Sequence, residues 1–368
     1  MVFHKTHGMN QPLFSMRTLY VSRTPADSSV YPTISAALDA IPMDLNEPAC
    51  IYLAPAIYHE KITINKPYLT ILGTGKSNKD VVLTYDDYAL APMADIGKLG
   101  TFRSYSVFID THDVTLQNLT IENASGDSLT HGQAIALYAD GDRLMIDSCR
   151  LIGHQDTLFT GPLPPKEIEP DGFIGPKQFA PRINGRQYYK NCYICGDIDF
   201  IFGSATAYFE NCVIESLCLT TNVNDIQGYI TAASTPESQE YGYVFSNCKL
   251  ISKDCPPNSV YLGRPWRNYA KTVFLECALG NHIHECGFHD WKKEDARNTV
   301  LYAEYRNYPA SSADTTSNNR SLNDDIHCID GRCIPYPHRA EYVCELDAVQ
   351  AEHFSKENVL SGADYWNP

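Results

Sequence analysis

Four short blocks of the chain combine acids, amides and a guanidinium with strand-like patterning. They are Gly132-Gln133-Ala134-Ile135-Ala136-Leu137, Gly153-His154-Gln155-Asp156-Thr157-Leu158-Phe159, Gly196-Asp197-Ile198-Asp199-Phe200-Ile201-Phe202-Gly203 and Tyr261-Leu262-Gly263-Arg264-Pro265-Trp266. Asp199 stands in an intensely apolar run. A carboxylate buried there without a partner would cost several kcal/mol, so a cation must be near or the group is neutral. Arg264 is the best candidate, because its rigid fork can hold a carboxylate through two bonds. On these two residues alone, a purely structural buried ion pair stays open. Other chemistries lack their signatures. The sequence holds no GxSxG nucleophile elbow, and Gly203-Ser204-Ala205 reads as a tight turn after a strand. It holds neither an HExxH metalloprotease motif nor a P-loop.

The elements that must position these residues follow from a recurring segment. Val114-Thr-Leu-Gln-Asn-Leu-Thr-Ile121, Leu144-Met-Ile-Asp-Ser-Cys-Arg-Leu151, Gln187-Tyr-Tyr-Lys-Asn-Cys-Tyr-Ile194 and Ala207-Tyr-Phe-Glu-Asn-Cys-Val-Ile214 share one pattern. Tyr243-Val-Phe-Ser-Asn-Cys-Lys-Leu250 and Thr272-Val-Phe-Leu-Glu-Cys-Ala-Leu279 continue it. Each is a strand with period-two alternation, a small polar residue, then Cys or Leu, a spacer and an aliphatic residue. The register falls at Cys149, Cys192, Cys212, Cys248 and Cys277, with gaps of 43, 20, 36 and 29 residues. The shortest gap is one coil of a solenoid, and the longer ones hold inserted loops. Helical periodicity between the strands is almost absent, which argues against a doubly wound sheet. The expected fold is therefore all-β, a right-handed parallel β-helix with short capping helices and one interior cysteine per coil.

One catalytic domain over 1–368 is expected, with an N-terminal extension over 1–18 and an inserted loop over 161–183. A polar loop insertion over 311–338 and a C-terminal flank helix and tail over 339–368 complete it. Ile34-Ser-Ala-Ala-Leu-Asp-Ala-Ile41 has helical apolar spacing and would cap the first open sheet edge. Asp347-Ala-Val-Gln-Ala-Glu-His-Phe354 reads as the flank helix, and Ser311 to Asn323 as a surface loop.

Charge and cysteine usage bound the setting. Among 368 residues, 44 are acidic and 29 basic, for a net charge of −15. That field repels nucleic acid and anionic membranes, so neither is expected as a partner. With no apolar segment like a signal at the N-terminus and 13 cysteines, an odd number, reduced thiols in a cytoplasm are expected. A signal already removed would leave the same sequence and a secreted protein. Cys192-Tyr-Ile-Cys195 has CxxC spacing but sits within a strand-like run, so packing is the preferred reading. His282, His284, Cys286 and His289 could bind a metal, although strand alternation explains them as well. Cys328 and Cys333, flanked by His327 and His338, stand in the same position.

The four blocks, in this order, resemble the signature set of pectin methylesterases, carbohydrate esterase family 8. Pro55-Ala-Ile-Tyr58-His-Glu60-Lys resembles the family's early Gly-x-Tyr-x-Glu element, and Leu360-Ser-Gly-Ala-Asp-Tyr-Trp366 its C-terminal end. Ile230-Thr-Ala-Ala and Trp291 after Gly287-Phe288 fit as well. The resemblance spans the chain from Leu19 onward. It implies hydrolysis of methyl esters of homogalacturonan or its oligosaccharides, without cofactor or metal, by what is expected to be a monomer. Asp199 would be the nucleophile, oriented by Arg264, and Gln133 and Gln155 the oxyanion donors. Asp156 would protonate the departing methanol and then activate water. Two neighbouring carboxylates push their pKa values apart, which suits one ionised and one protonated group. Trp266, Trp291, Phe159 and Phe202 would contact the sugar rings. Phe288 stands where the family often has Trp. The Pro-rich stretch 161–183 is longer than the resemblance implies and is expected to wall one end of the cleft, restricting it to short chains or particular ester patterns.

The rivals are a polygalacturonase or pectate lyase on the same fold, since paired aspartates also serve glycoside hydrolysis. The two glutamines and Arg264 favour acyl transfer, and a lyase would want an acid-rich calcium site. A non-catalytic carbohydrate-binding solenoid would have no need to place Asp199 in an apolar strand.

Overall fold

The computed structural model describes residues 16–43, 47–94, 97–310 and 338–368. Its strands wind repeatedly through three sheets. One turn runs Leu158–Thr160, Arg186–Lys190 and Tyr193–Gly196, and the next Ile198–Gly203, Thr206–Glu210 and Val213–Ser216. Each strand pairs in parallel with its counterparts one turn before and after. Among the described residues, only the small Pro92–Met93 and Gly97–Lys98 pair is antiparallel. The result is a parallel β-helix, with sheets of twelve, nine and seven strands among the described residues.

The corner between the first two sheets explains the small polar residue of the repeat. Asn118, Ser148, Asn191, Asn211, Asn247 and Glu276 all have φ between 52° and 55°. A left-handed residue bends the strand sharply, and Asn tolerates it because its short amide can bond locally. The next residue then turns into the core. Cys149, Cys192, Cys212, Cys248 and Cys277 are all buried there, each thiol donating to a carbonyl of the preceding coil at 3.2–3.5 Å. Beside them Tyr189, Phe209, Phe245 and Phe274 stack face to face, 4.4–4.6 Å apart. That spacing matches the distance between neighbouring strands, so the ladder repeats with the coil.

A helix covers the first end. The first helix, Ile34–Asp39, is capped by Thr33 and buries Ile34, Ala37 and Leu38. Glu60 of the early tyrosine element accepts bonds from the amides of Ile34 and Ser35 at 3.0 and 3.1 Å. On the flank the sequence expectation of one helix becomes two, Ala348–Glu352 and Lys356–Leu360. Ala351, Phe354, Val359 and Leu360 pack on Tyr188, Tyr208, Val244 and Val273 of the twelve-stranded sheet. Residues 1–15 of the N-terminal extension, the stretch from Ser311 to Asn323, His327, Cys328 and Cys333 lie outside the described residues.

Candidate active site

The seven-stranded sheet sets the chemical groups side by side. Its strands Leu137–Ala139, Leu158–Thr160, Ile198–Gly203, Gly228–Ala233 and Val260–Gly263 lie in consecutive coils. Backbone bonds index the four blocks against one another. Ala134 N donates to Gln155 O at 3.1 Å, Asp156 N to Ile198 O at 3.1 Å, and Arg264 N to Thr231 O at 2.9 Å. Gly196 lets the coils approach, since a Cβ there would lie 2.4 Å from the His154 carbonyl oxygen.

Gln133, Gln155, Asp156, Asp199, Arg264, Phe202, Trp266 and Trp291 thereby line one cleft of about 530 Å³, a size typical of ligand sites. Arg264 donates from Nε to Asp199 Oδ1 at 2.8 Å and from Nη2 to Oδ2 at 2.7 Å. The fork is packed flat between Tyr229 and Trp291, with 3.8 and 3.7 Å to the ring centroids. Both acids adopt left-handed backbone, Asp156 at φ 66° and Asp199 at φ 51°, and the ladder slips register between Ile198 and Ile201. For a residue other than Gly, Asn or Asp this conformation costs about 1–2 kcal/mol.

Electrostatics separate the two carboxyls. Burial raises both above the ordinary Asp value. For Asp199 the Arg264 charge and its hydrogen bonds work against burial. Asp156 instead faces the negative charge of Asp199, and its carboxyl is held well above the usual range. Asp199 therefore ionises first, with Asp156 still protonated.

Beneath the cleft lies a third carboxylate that sequence reading did not single out. Asp197 is buried, and its Oδ1 accepts from Ser128 Oγ at 2.5 Å and Ile198 N at 2.6 Å. Its Oδ2 is 3.1 Å from His154 Nδ1, a contact that raises the imidazole pKa against burial. Ser128 Oγ accepts in turn from Gln155 N at 2.9 Å. The network ties the Gln155–Asp156 and Asp199 blocks together. The available signal for His154 and Asp197 was their place in the four blocks, His154 next to Gln155 and Asp197 two residues before Asp199. Lys293 was also missed. Burial and nearby Arg267 and Arg264 push its ammonium down to about 8, and it donates to Pro265 O at 2.7 Å.

The expectation that Phe159 meets a sugar ring needs correction. Phe159 is fully buried and absent from the cleft wall, packed 4.7 Å from Tyr138 and 4.8 Å from Phe202. It supports Phe202 instead of meeting a sugar ring. Phe288 is likewise core, stacked 4.1 Å from Tyr302. Cys195 is buried and its thiol is pushed up to about 11, while Cys192 joins the cysteine ladder. His282 is buried and pushed down to about 4, and His284 and His289 accept bonds from the amides of Cys286 and Trp291. Among the described residues, no three His, Cys, Asp or Glu side chains are grouped as for a metal ion.

The pectinesterase family model matches residues 21–162 and 182–323. Pectinesterase 31 of Arabidopsis thaliana is 31% identical over 84% of this chain and 90% of its own. Probable pectinesterase A of Neosartorya fischeri is 35% identical over 80% of each. Among solved structures, pectin methylesterase PemA from Erwinia chrysanthemi superposes with a TM-score of 0.70 at 27% identity, covering 95% of this chain and 98% of its own. These plant, fungal and bacterial pectinesterases overturn the cytoplasmic expectation. A solved relative from Aspergillus niger, 27% identical over 95% of this chain with a TM-score of 0.68, bears an N-acetylglucosamine stub. The thiol argument failed because the ladder cysteines are unpaired by packing, which carries no information about compartment. The chain belongs to the pectinesterase family and is an enzyme that removes methyl esters from pectin.

Proposed function

We propose that the ester is cleaved by covalent catalysis at Asp199. The observation that carries this reading is the two-bond grip of Arg264 on Asp199, in a cleft that Asp156, Gln133 and Gln155 also line. An Asp199 oxygen attacks the carbonyl carbon of a galacturonate methyl ester. The carbonyl oxygen takes up the negative charge and accepts bonds from the Gln133 and Gln155 amides, worth about 3 kcal/mol per donor. The C–OCH3 bond breaks as Asp156 gives its proton to the leaving oxygen, releasing methanol and leaving a mixed anhydride on Asp199. Asp156, now ionised, takes a proton from water. The hydroxide attacks the substrate's acyl carbon, the bond to Asp199 breaks, and the galacturonate carboxylate departs.

The separated carboxyls support these two roles, because one state holds Asp199 ionised and Asp156 protonated. Trp266, Trp291 and Phe202 offer aromatic surface to the sugar. A similar solved pectin methylesterase, 27% identical, holds a hexasaccharide, which supports an oligogalacturonate in this cleft. The test is methanol release from highly methylated pectin. Asp199→Ala should lose about 10⁴-fold or more in rate, with no new reducing ends or unsaturated products from either protein. Chain cleavage abolished by the same substitution would transfer the aspartates to a glycosidase or lyase role.

A further inference from the structure

Residues 163–181 fall between the two segments that the family model matches, yet they form part of the cleft wall. The segment is tied down rather than draped. Arg182 donates to the carbonyls of Lys177, Ala180, Gln178 and Pro164 at 2.7–3.2 Å, and Lys177 pairs with Asp110 at 2.6 Å. On the cleft side Phe173 is buried, 5.7 Å from Phe102 and 6.3 Å from Trp266, and Arg267 donates to the Lys166 carbonyl. This anchoring brings exposed Ile168 and Glu169 to the rim of the same cleft.

Glu169 matters because of what surrounds it. In the described lining, the other carboxylates are Asp156 and Asp199. Asp199 is paired with Arg264, the lining's other cations, Arg267 and Lys293, donate to the carbonyls of Lys166 and of Pro265 and Trp266, and Glu169 is the exposed carboxylate at the rim. The substrate is a chain in which each residue carries either a neutral, partly apolar methyl ester or a free carboxylate. An apolar side chain next to an anionic one suits the ester and repels the acid.

We propose that the segment 163–181 is a specificity element, and that Ile168 and Glu169 build a subsite that accepts methyl-esterified galacturonate and disfavours the free acid. This rests on the methylesterase reading and names its substrate pattern. The experiment compares kcat/KM for fully and half methylated oligogalacturonates of equal length, in the wild type, Glu169→Gln, Glu169→Lys and Glu167→Gln. Glu167 lies on the same segment but outside the cleft lining.

The wild type should prefer the fully methylated substrate, less so as salt is raised. Glu169→Gln should shrink the preference about two- to fivefold, as expected for one partly exposed charge contact. Glu169→Lys should shrink it further, through KM of the half methylated substrate, while Glu167→Gln leaves it in place. Methanol release with an unchanged preference in both Glu169 variants would overturn the proposal without touching the esterase reading. An equal shift in Glu167→Gln would also overturn it, since the effect would then belong to the segment's overall charge. Loss of methanol release from Asp199-intact enzyme on every substrate would instead count against the methylesterase reading itself.

Discussion

Replacing Arg264 by Lys keeps the charge and removes the fork. In the native site two nitrogens reach the two Asp199 oxygens at 2.8 and 2.7 Å, and the flat guanidinium fills the slot between Tyr229 and Trp291. An ammonium can make one of those two bonds. Losing the other, charge-assisted, removes about 1.5–3 kcal/mol. Losing planar contact with two rings removes roughly another 0.5–1 kcal/mol for each. If most of this alignment is needed to present Asp199 to the ester, kcat/KM for methanol release should fall about 10²–10³-fold, at 1.36 kcal/mol per tenfold. The pH profile gives an independent readout. Burial raises the Asp199 pKa and Arg264 opposes it, so a weaker partner lets burial win and the acid limb of kcat/KM moves to higher pH. Arg264→Ala should move it further. An acid limb that stays in place in both variants, with less than a tenfold loss, would refute the idea that Arg264 holds Asp199 ionised and aligned.

Asp156→Asn should lower methanol release about 10²–10⁴-fold, the usual range for a lost general acid and base. It should also stabilise the fold, measured as Tm against pH. The raised carboxyl makes wild-type stability fall as pH rises from the unfolded Asp value through the folded one, and Asn does not titrate, so its advantage should be absent in strong acid and present at neutral pH. A variant less stable than the wild type at neutral pH would contradict the stated burial cost. Alkylation of the native protein, mapped by mass spectrometry, should label exposed Cys218 and Cys344 while sparing Cys149, Cys192, Cys212, Cys248 and Cys277 until the chain is unfolded. Rapid labelling of the ladder cysteines in the native state would refute their place in the core.

What the sequence revealed and what it hid divide along local and non-local lines. The corner residues and the cysteines after them recur because every coil must turn at the same point, so the parallel β-helix was readable from register alone. Asp199 could be singled out because a carboxylate between Ile198 and Phe200 is costly wherever it is placed, and that cost implied Arg264. Phe159 and Phe202 show the limit. They are register partners on adjacent strands, and alternation treats them alike. Both are buried, but Phe202 reaches the cleft wall while Phe159 sits behind it with Phe102 packed 5.0 Å away. Phe102 comes from a short turn and Phe173 from the 163–181 segment, neither in the repeat. Tyr229 and Lys293 reached the site in the same way, as Arg264 neighbours fixed by coil stacking and loop path. Ser128, His154 and Asp197 are far apart in sequence, so their convergence had no local signature.

The central claim is a covalent acyl-enzyme on Asp199. Matched methyl and ethyl esters of an oligogalacturonate would be hydrolysed in the presence of hydroxylamine, and the ratio of hydroxamate to free acid measured for each. A shared acyl-enzyme has forgotten its leaving group, so the ratio should be the same from both esters, with neither product formed by Asp199→Ala. A ratio that differs between the two esters would mean that water and hydroxylamine attack the ester directly, and that Asp199 acts without forming a bond to the substrate.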